Sequence, residues 1–254
     1  MIYSYTIIIA FLCGIILYKI FTTHPGRLPF IRKIPGLDTI DEAVGRATEM
    51  GKPIFFSPGL TELDISSLSA LMILSRVSRL AARYNTRVIS TIPSYMAYVM
   101  AEEICREAYV SEGKGELFDP SRDLHLIINQ FPYAIGSAGI MHREKVAAVF
   151  LFGYFFAESL ILAEAGNTVG AIQVAGSDSI LQLPFFVVTC DYTIIGEELY
   201  AAGAYISKHP TMLASLVAQD RCKVLISIFV IIGSIFATLS AKVGYNIILD
   251  LFGK

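Results

Sequence analysis

Five polar residues stand where a site would be built in an open α/β sheet: Ser57, Asn129, Ser177, Asp178 and Asp191. Each follows an apolar run that reads as a strand. Ligands in such sheets bind outside the carboxyl ends of the strands. The turns concerned are Ser57-Pro58-Gly59, Thr91 to Ser94, Asn129-Gln130, Gly176 to Ser179 and Cys190 to Tyr192, and none carries a Lys or Arg. That chemistry suits a small neutral or cationic ligand, or a hard cation between Asp178 and Asp191. A phosphate would depend on backbone N–H groups at a helix start, such as the one after Gly59. Ordinary turn and cap preferences also account for Ser, Asp and Gly at these places.

No other motif names a reaction. There is no G-x-x-x-x-G-K-[ST], no G-x-G-x-x-G after a strand, no H-E-x-x-H and no G-x-S-x-G. No metal site and no cofactor are expected. Cys13, Cys105, Cys190 and Cys222 include no C-x-x-C pair, so they read as reduced thiols rather than a disulfide framework or zinc site. Cys190 would need a base to act as a nucleophile, and His24, His125, His142 and His209 are all remote in sequence; a buried, inert thiol is expected. Glu158 and Glu164 sit on an otherwise apolar helix, six apart, and are expected to reach solvent or a partner.

Two patterns suit association. Arg76, Arg79 and Arg83 form a stripe along one helix, which could stay solvated, meet anionic lipid or meet Glu102, Glu103 or Glu107 of a neighbouring chain. Ala10 with Gly14, and Gly233, Ala237 and Ala241, are small-xxx-small faces in apolar helices, able to pack within one chain or between chains.

The elements that would carry these residues begin with the two ends of the chain. Of the 254 residues, 54% are hydrophobic and 17% charged, shifts that point to membrane segments. The apolar excess is concentrated in Ile2 to Ile20 and Val224 to Ala241, each about long enough to cross a bilayer. The first lacks the basic start and small-residue cleavage site of a signal peptide. The second can continue a helix opened at Pro210. Arg27, Arg32, Lys33, Lys208, Arg221 and Lys223 flank the inner sides of the two spans, which places the central domain in the cytoplasm with both termini across the membrane. A net charge of −2 excludes a general nucleic-acid binder.

Between the spans, residues 23–38 read as a Pro-containing basic spacer. Residues 39–209 read as an α/β domain, and 210–254 as the helix entering and crossing the membrane with a short tail. Thr39 and Glu42 form a capping box for a helix ending at Gly51. Strands are expected at Pro53 to Phe56, Arg87 to Thr91, Leu124 to Ile128, Val146 to Phe152, Val169 to Val174 and Phe185 to Thr189. Helices are expected at Ile65 to Tyr84 with Asp64 as cap, Ser94 to Val110, Tyr133 to Met141, Phe155 to Ala165 and Ile194 to Ser207. Ala147 to Ala165 could span a bilayer, but Glu158 and Glu164 are costly at that depth, and a buried strand breaking at Gly153 before a helix is the preferred reading. The alternation implies a mostly parallel sheet with helices on both faces, flanked by an N-terminal and a C-terminal transmembrane helix.

The runs EAVGRATEMGKPIFFSPG and REKVAAVFLFGYFFAESLILAEAGNTVGAIQVAGSDSILQLPFFVVTCDYTIIGEELYAAGAYIS resemble a family of bacterial and archaeal membrane-anchored proteins whose domain has no assigned function, over about residues 39–220. The resemblance implies membership of a prokaryotic membrane family and carries no catalytic residue with it. The reading that follows is a membrane-anchored assembly subunit that forms homo-oligomers in contact with lipid. The alternative is a membrane-tethered ligand-binding or catalytic domain with its site at the strand carboxyl ends.

Overall fold

The computed structural model describes residues 2–22 and 35–243. The expected spacer around Pro25 and Pro29, with its cations Arg27, Arg32 and Lys33, and the tail after Val243 lie outside the described residues. The chain divides into two compact units, Arg32–Ser207 and a helical one made of Met1–Ile31 with Lys208–Lys254.

The first unit is an alternation of helices and strands: α2 (Pro35–Glu49), β1 (Ile54–Gly59), α3 (Ile65–Arg83), β2 (Val88–Ile92), α4 (Tyr95–Ser111), the short α5 (Pro120–Asp123), β3 (Leu124–Leu126), α6 (Gln130–Glu144), β4 (Ala148–Tyr154), α7 (Glu158–Thr168), β5 (Ile172–Ser177), α8 (Leu183–Thr189), β6 (Tyr192–Ile195) and α9 (Glu198–Ser207). The strands form one six-stranded sheet in the order β3-β2-β1-β4-β5-β6, parallel throughout. Successive strand residues point to opposite faces. Ile54, Phe56, Phe150, Phe152 and Val174 therefore pack under residues of α2, α3, α4 and α9, such as Ile40, Leu71, Ala101 and Leu199. Phe55, Val149, Leu151 and Ala175 pack under Tyr133, Ile140, Leu162 and Phe186 of α6, α7 and α8. A parallel sheet covered on both faces is what near-continuous apolar strands require.

The centre of the sheet settles the Ala147 to Ala165 stretch. It is a buried strand, β4, paired on both sides, followed by the helix α7. The expected break at Gly153 is instead a bulge inside the strand: Ser57 pairs with Leu151 and Gly59 with Tyr154, so β4 holds one extra residue. Gly153 has φ of +128° and Gly59 of +85°, and a Cβ on either would collide with the backbone of the other strand.

Other expectations need correction. Thr39 opens no helix: α2 starts at Pro35, the position Pro favours, and the Thr39 hydroxyl donates to the Gly36 carbonyl at 2.7 Å. Phe185 to Thr189 is helix α8, with Pro184 in its first turn, and the last strand is Tyr192–Ile195. A short apolar run fits a strand and a buried helical turn equally well by periodicity. Tyr133 to Met141 is the middle of a longer helix, α6. The polar stretch after Ser111 contains a 3₁₀ turn, Gly115–Leu117, and α5.

In the second unit, α1 (Ile2–Thr22) packs against α10 (Pro210–Val243), a single 34-residue helix opened by Pro210. Pro210–Thr238 is long and apolar enough to cross a membrane, and only 6% of its most apolar stretch is buried. In α1 the stretch whose side chains are described, Leu12–Thr22, is also apolar. Leu213, Ala214, Ala218 and Cys222 are buried, whereas from Lys223 to Thr238 only Gly233 is even half-buried.

Candidate functional site: the carboxyl ends of the strands

The strand order places the reversal of winding between β1 and β4, where an α/β sheet usually opens a crevice. Here the backbone fills it. Beyond the bulge, the Leu60 N–H donates to the Tyr154 carbonyl at 2.9 Å, so β1 and β4 stay joined past their ends. The first turn after β1 carries no glycine-rich phosphate cradle. It leads into α3 through Asp64, whose carboxylate accepts from the Ser67 N–H at 2.7 Å, while the Ser67 hydroxyl accepts from the Asp64 N–H at 2.8 Å. A carboxylate thus occupies the helix start that a phosphate would need.

Two polar groups, one buried and one partly buried, lie on either side of this seam. Below α6, the Ser57 hydroxyl meets the Tyr133 hydroxyl at 2.6 Å, and Tyr133 donates to the Thr91 carbonyl at 2.9 Å. Ser137 donates to the Thr91 hydroxyl at 2.8 Å. Burial pushes the Tyr133 phenol up to about 12, so it serves as a neutral donor. Nearby, Glu158 is 1% exposed and accepts from Gln130 Nε2 and the Phe156 N–H, both at 2.7 Å. The expectation that Glu158 reaches solvent is therefore wrong, because its carboxylate turns back to satisfy the start of its own helix; Glu164 is exposed as read. On the opposite face, Asp178 accepts from the Ser66 hydroxyl at 3.1 Å and from the Tyr200 hydroxyl. The Tyr200 phenol is shifted upward by burial and by that carboxylate.

The five sequence-derived residues do not form one cluster. Ser57 belongs to the Tyr133 group, and Asp178 to the Ser66–Tyr200 group. Ser177 is buried, its hydroxyl accepting from the Ser179 N–H at 3.1 Å, which is turn chemistry. Asn129 is exposed, has φ of +72°, and makes no side-chain cap at the start of α6. Asp191 is the correction. It precedes β6 and accepts from the Gln173 N–H at 2.7 Å, at the amino end of β5, whereas Asp178 follows the carboxyl end of β5. The misread strand at Phe185 to Thr189 placed it on the wrong side, so the two aspartates cannot share a cation. Among the described residues, no group of three or more His, Cys, Asp and Glu is placed to hold a metal. Burial pushes the Cys190 thiol up to about 11 and the Cys105 thiol up to about 12, which leaves both unreactive.

An open cleft of about 550 Å³ lies over the carboxyl ends of β1, β2 and β3. It is lined by Glu62, Leu63, Pro93, Ser94, Tyr95, Met96 and Ile128. Of these only Pro93 and Ser94 fall in a turn that the sequence pointed to. Tyr95 and Met96 are 69% and 66% exposed, at the start of a helix whose Ala97, Ala101, Cys105 and Tyr109 join the core. Ile65, Phe131, Phe156, Ile180 and Leu181 are also exposed around these ends. The pattern that marks the site is apolar residues at helix starts where cap chemistry alone would suffice; it becomes visible only once burial is known.

The association residues resolve differently. Arg76 holds Asp41 with both oxygens at 2.8–2.9 Å, and Arg83 holds Glu112 at 2.8 Å. Glu102 is engaged by Arg106 at 2.6 Å. Only Arg79 of the stripe is exposed without a hydrogen-bonded carboxylate, and it adds to the field that lowers Glu112. In α10, Gly233 is half-buried and Ala237 exposed, while the Ala241 side chain lies outside the described ones.

A family model described as a domain of unknown function, DUF6754, matches residues 2–248, a longer stretch than the resemblance read from the sequence. No curated protein matches the chain.

Proposed function

This chain belongs to the DUF6754 family, and from that premise we propose that it is a membrane-tethered binding module whose binding surface is the carboxyl-end face of the sheet. One observation carries the reading. The cleft over β1 to β3 is lined by apolar side chains, of which Tyr95, Met96 and Ile128 are exposed, and by a carboxylate, Glu62, that has no partner among the described residues. A cavity of this size, mostly apolar with few polar groups, is the usual form of a small-ligand site. Sequence reasoning put a self-assembling subunit first. The order is reversed because, of the arginine stripe that reading added to the small-residue faces of the spans, two of three members are paired within the chain.

The tether in this proposal is α10, aided by α1. Both spans cross the cytoplasmic membrane, the α/β domain is cytoplasmic, and both termini lie outside, as the Lys and Arg bias supports. Reporters fused at each end and in the loop after Ser111 test this; a cytoplasmic signal from either end refutes it.

The binding reading is tested with the full chain in nanodiscs, by saturation-transfer NMR against a library of small neutral and cationic fragments. Hits that bind wild type should be lost in Met96→Arg and Ile128→Arg, which alter exposed positions. Hits retained in both variants would show that binding lies elsewhere.

A second reading, the homo-oligomer, is favoured by the sheet edge. Tyr192 and Ile195 are exposed apolar residues on β6, an edge strand among the described ones, and Val187 and Val188 of α8 are exposed as well. Light scattering in mild detergent decides it, since a mass of one chain per particle ends that reading.

A further inference from the structure

The lining of the β1–β3 cleft is uneven in charge. Among the described residues Glu62 is its only carboxylate, and no Lys, Arg or His lines it. The rest of the described wall is Leu63, Pro93, Met96 and Ile128 beside the Tyr95 ring, with Ser94 as its one neutral polar side chain. We propose that this cleft takes a small organic monocation: an ammonium group at Glu62, on an aromatic or aliphatic body seated among Tyr95, Met96 and Ile128. The inference rests on the carboxyl-end face being the binding surface, and it names the ligand class of that surface.

Other ligand charges fit less well. An anion would meet Glu62 and, in the same loop, Asp64. The start of α4 opens into the cleft and attracts anions with about half a unit of positive charge. One of its free donors, the Ala97 N–H, is already taken by the Ser94 hydroxyl at 3.2 Å, and the full charge of Glu62 exceeds what remains. A calcium or magnesium ion needs six or more oxygens, and the cleft offers one carboxylate. A neutral ligand would gain nothing from Glu62, which is exposed and stays hydrated. An ammonium group satisfies Glu62 and adds attraction to the face of Tyr95, while Met96 sulfur suits an aromatic body.

The smaller cleft of about 310 Å³ at the opposite end of the sheet does not offer the same chemistry. Lys52, Arg87 and Glu144 all line it, and Arg87 and Glu144 are paired to each other at 3.0 Å.

The test uses the full chain in nanodiscs of zwitterionic lipid and three matched probes: 2-phenylethylammonium, 2-phenylethanol and 3-phenylpropanoate. The ammonium should bind about two- to fivefold more tightly than the alcohol, the worth of one exposed ion pair, and the carboxylate should bind worst. Glu62→Gln should bring the ammonium down to the alcohol and leave the alcohol unchanged. Met96→Arg should remove both. The inference is overturned if the alcohol or carboxylate matches the ammonium, or if Glu62→Gln changes nothing. Equal binding of all three, lost in Met96→Arg, would leave the binding face standing and remove only its charge preference. Binding that survives Met96→Arg, or no binding of any probe, would remove both.

Discussion

At the amino ends of the strands Arg87 holds Asp123 at 2.6 Å, Glu144 at 3.0 Å and the Arg122 carbonyl at 3.0 Å, and Arg122 closes on Asp123 from the other side. At the carboxyl ends Glu62 has no partner among the described residues, and Tyr95, Met96, Ile128 and Phe131 face outward. One end uses its charges to bind itself. The other gathers its polar groups in two neutral or singly charged nests and exposes apolar surface and acid. The interactions at the first end account for stability. The second end leaves a carboxylate without a partner among the described residues, and an exposed apolar patch beside such a group marks an interaction site.

The largest expected effect belongs to the amino end. Asp123 is 2% exposed and accepts from both arginines and from the Asp119 N–H. Asp123→Ala should cost about 2–3 kcal/mol, as expected when several charge-assisted hydrogen bonds are lost together. Thermal unfolding of the full chain in detergent checks this, and an unchanged midpoint would show that the network is ornamental. Next comes the buried nest at the other end. Tyr133→Phe removes one donor from the Thr91 carbonyl and the partner of a fully buried Ser57, which should cost about 1–2 kcal/mol. A cost larger than that of Asp123→Ala would reverse the assignment of stability to the amino end.

The smallest effect is a pH dependence. His125 on β3 is held below its ordinary value by burial, then by Arg143 and Arg87. Its folded state therefore prefers the neutral ring. The associated stability is complete above the unfolded value of about 6.5 and is lost as pH falls through the lower folded value. Wild type should lose stability on acidification through that window, and His125→Gln should flatten this part of the profile. A variant that is just as sensitive would exclude His125 as the source.

Much of the fold was legible because its signals are local. Asp64 caps α3 as read, α4 begins within a residue of the expected Ser94, which caps it, and the all-apolar β4 announces a strand buried on both faces. What failed depended on non-local partners. Phe185 to Thr189 is apolar in either conformation, and only β5 pairing with Tyr192–Ile195 decides which segment is the strand. That single misreading carried Asp191 to the wrong end of the sheet. Glu158 looked exposed because nothing adjacent in sequence reveals Gln130 as its donor. The cleft was invisible for a similar reason: Tyr95 and Met96 are ordinary residues for the first turn of a helix, and their exposure follows from how β1, β2 and β3 are ordered side by side.

The two ends offer matched reporters for the central claim. Met96 lines the carboxyl-end cleft, whereas Met50, half exposed, follows α2 just before β1 at the amino end. The full chain, methyl-labelled at methionine and held in nanodiscs, can be titrated with 2-phenylethylammonium while both methyl resonances are followed. The account predicts a saturable shift of Met96 with Met50 unmoved; a shift at Met50 alone, or none at Met96, would contradict it.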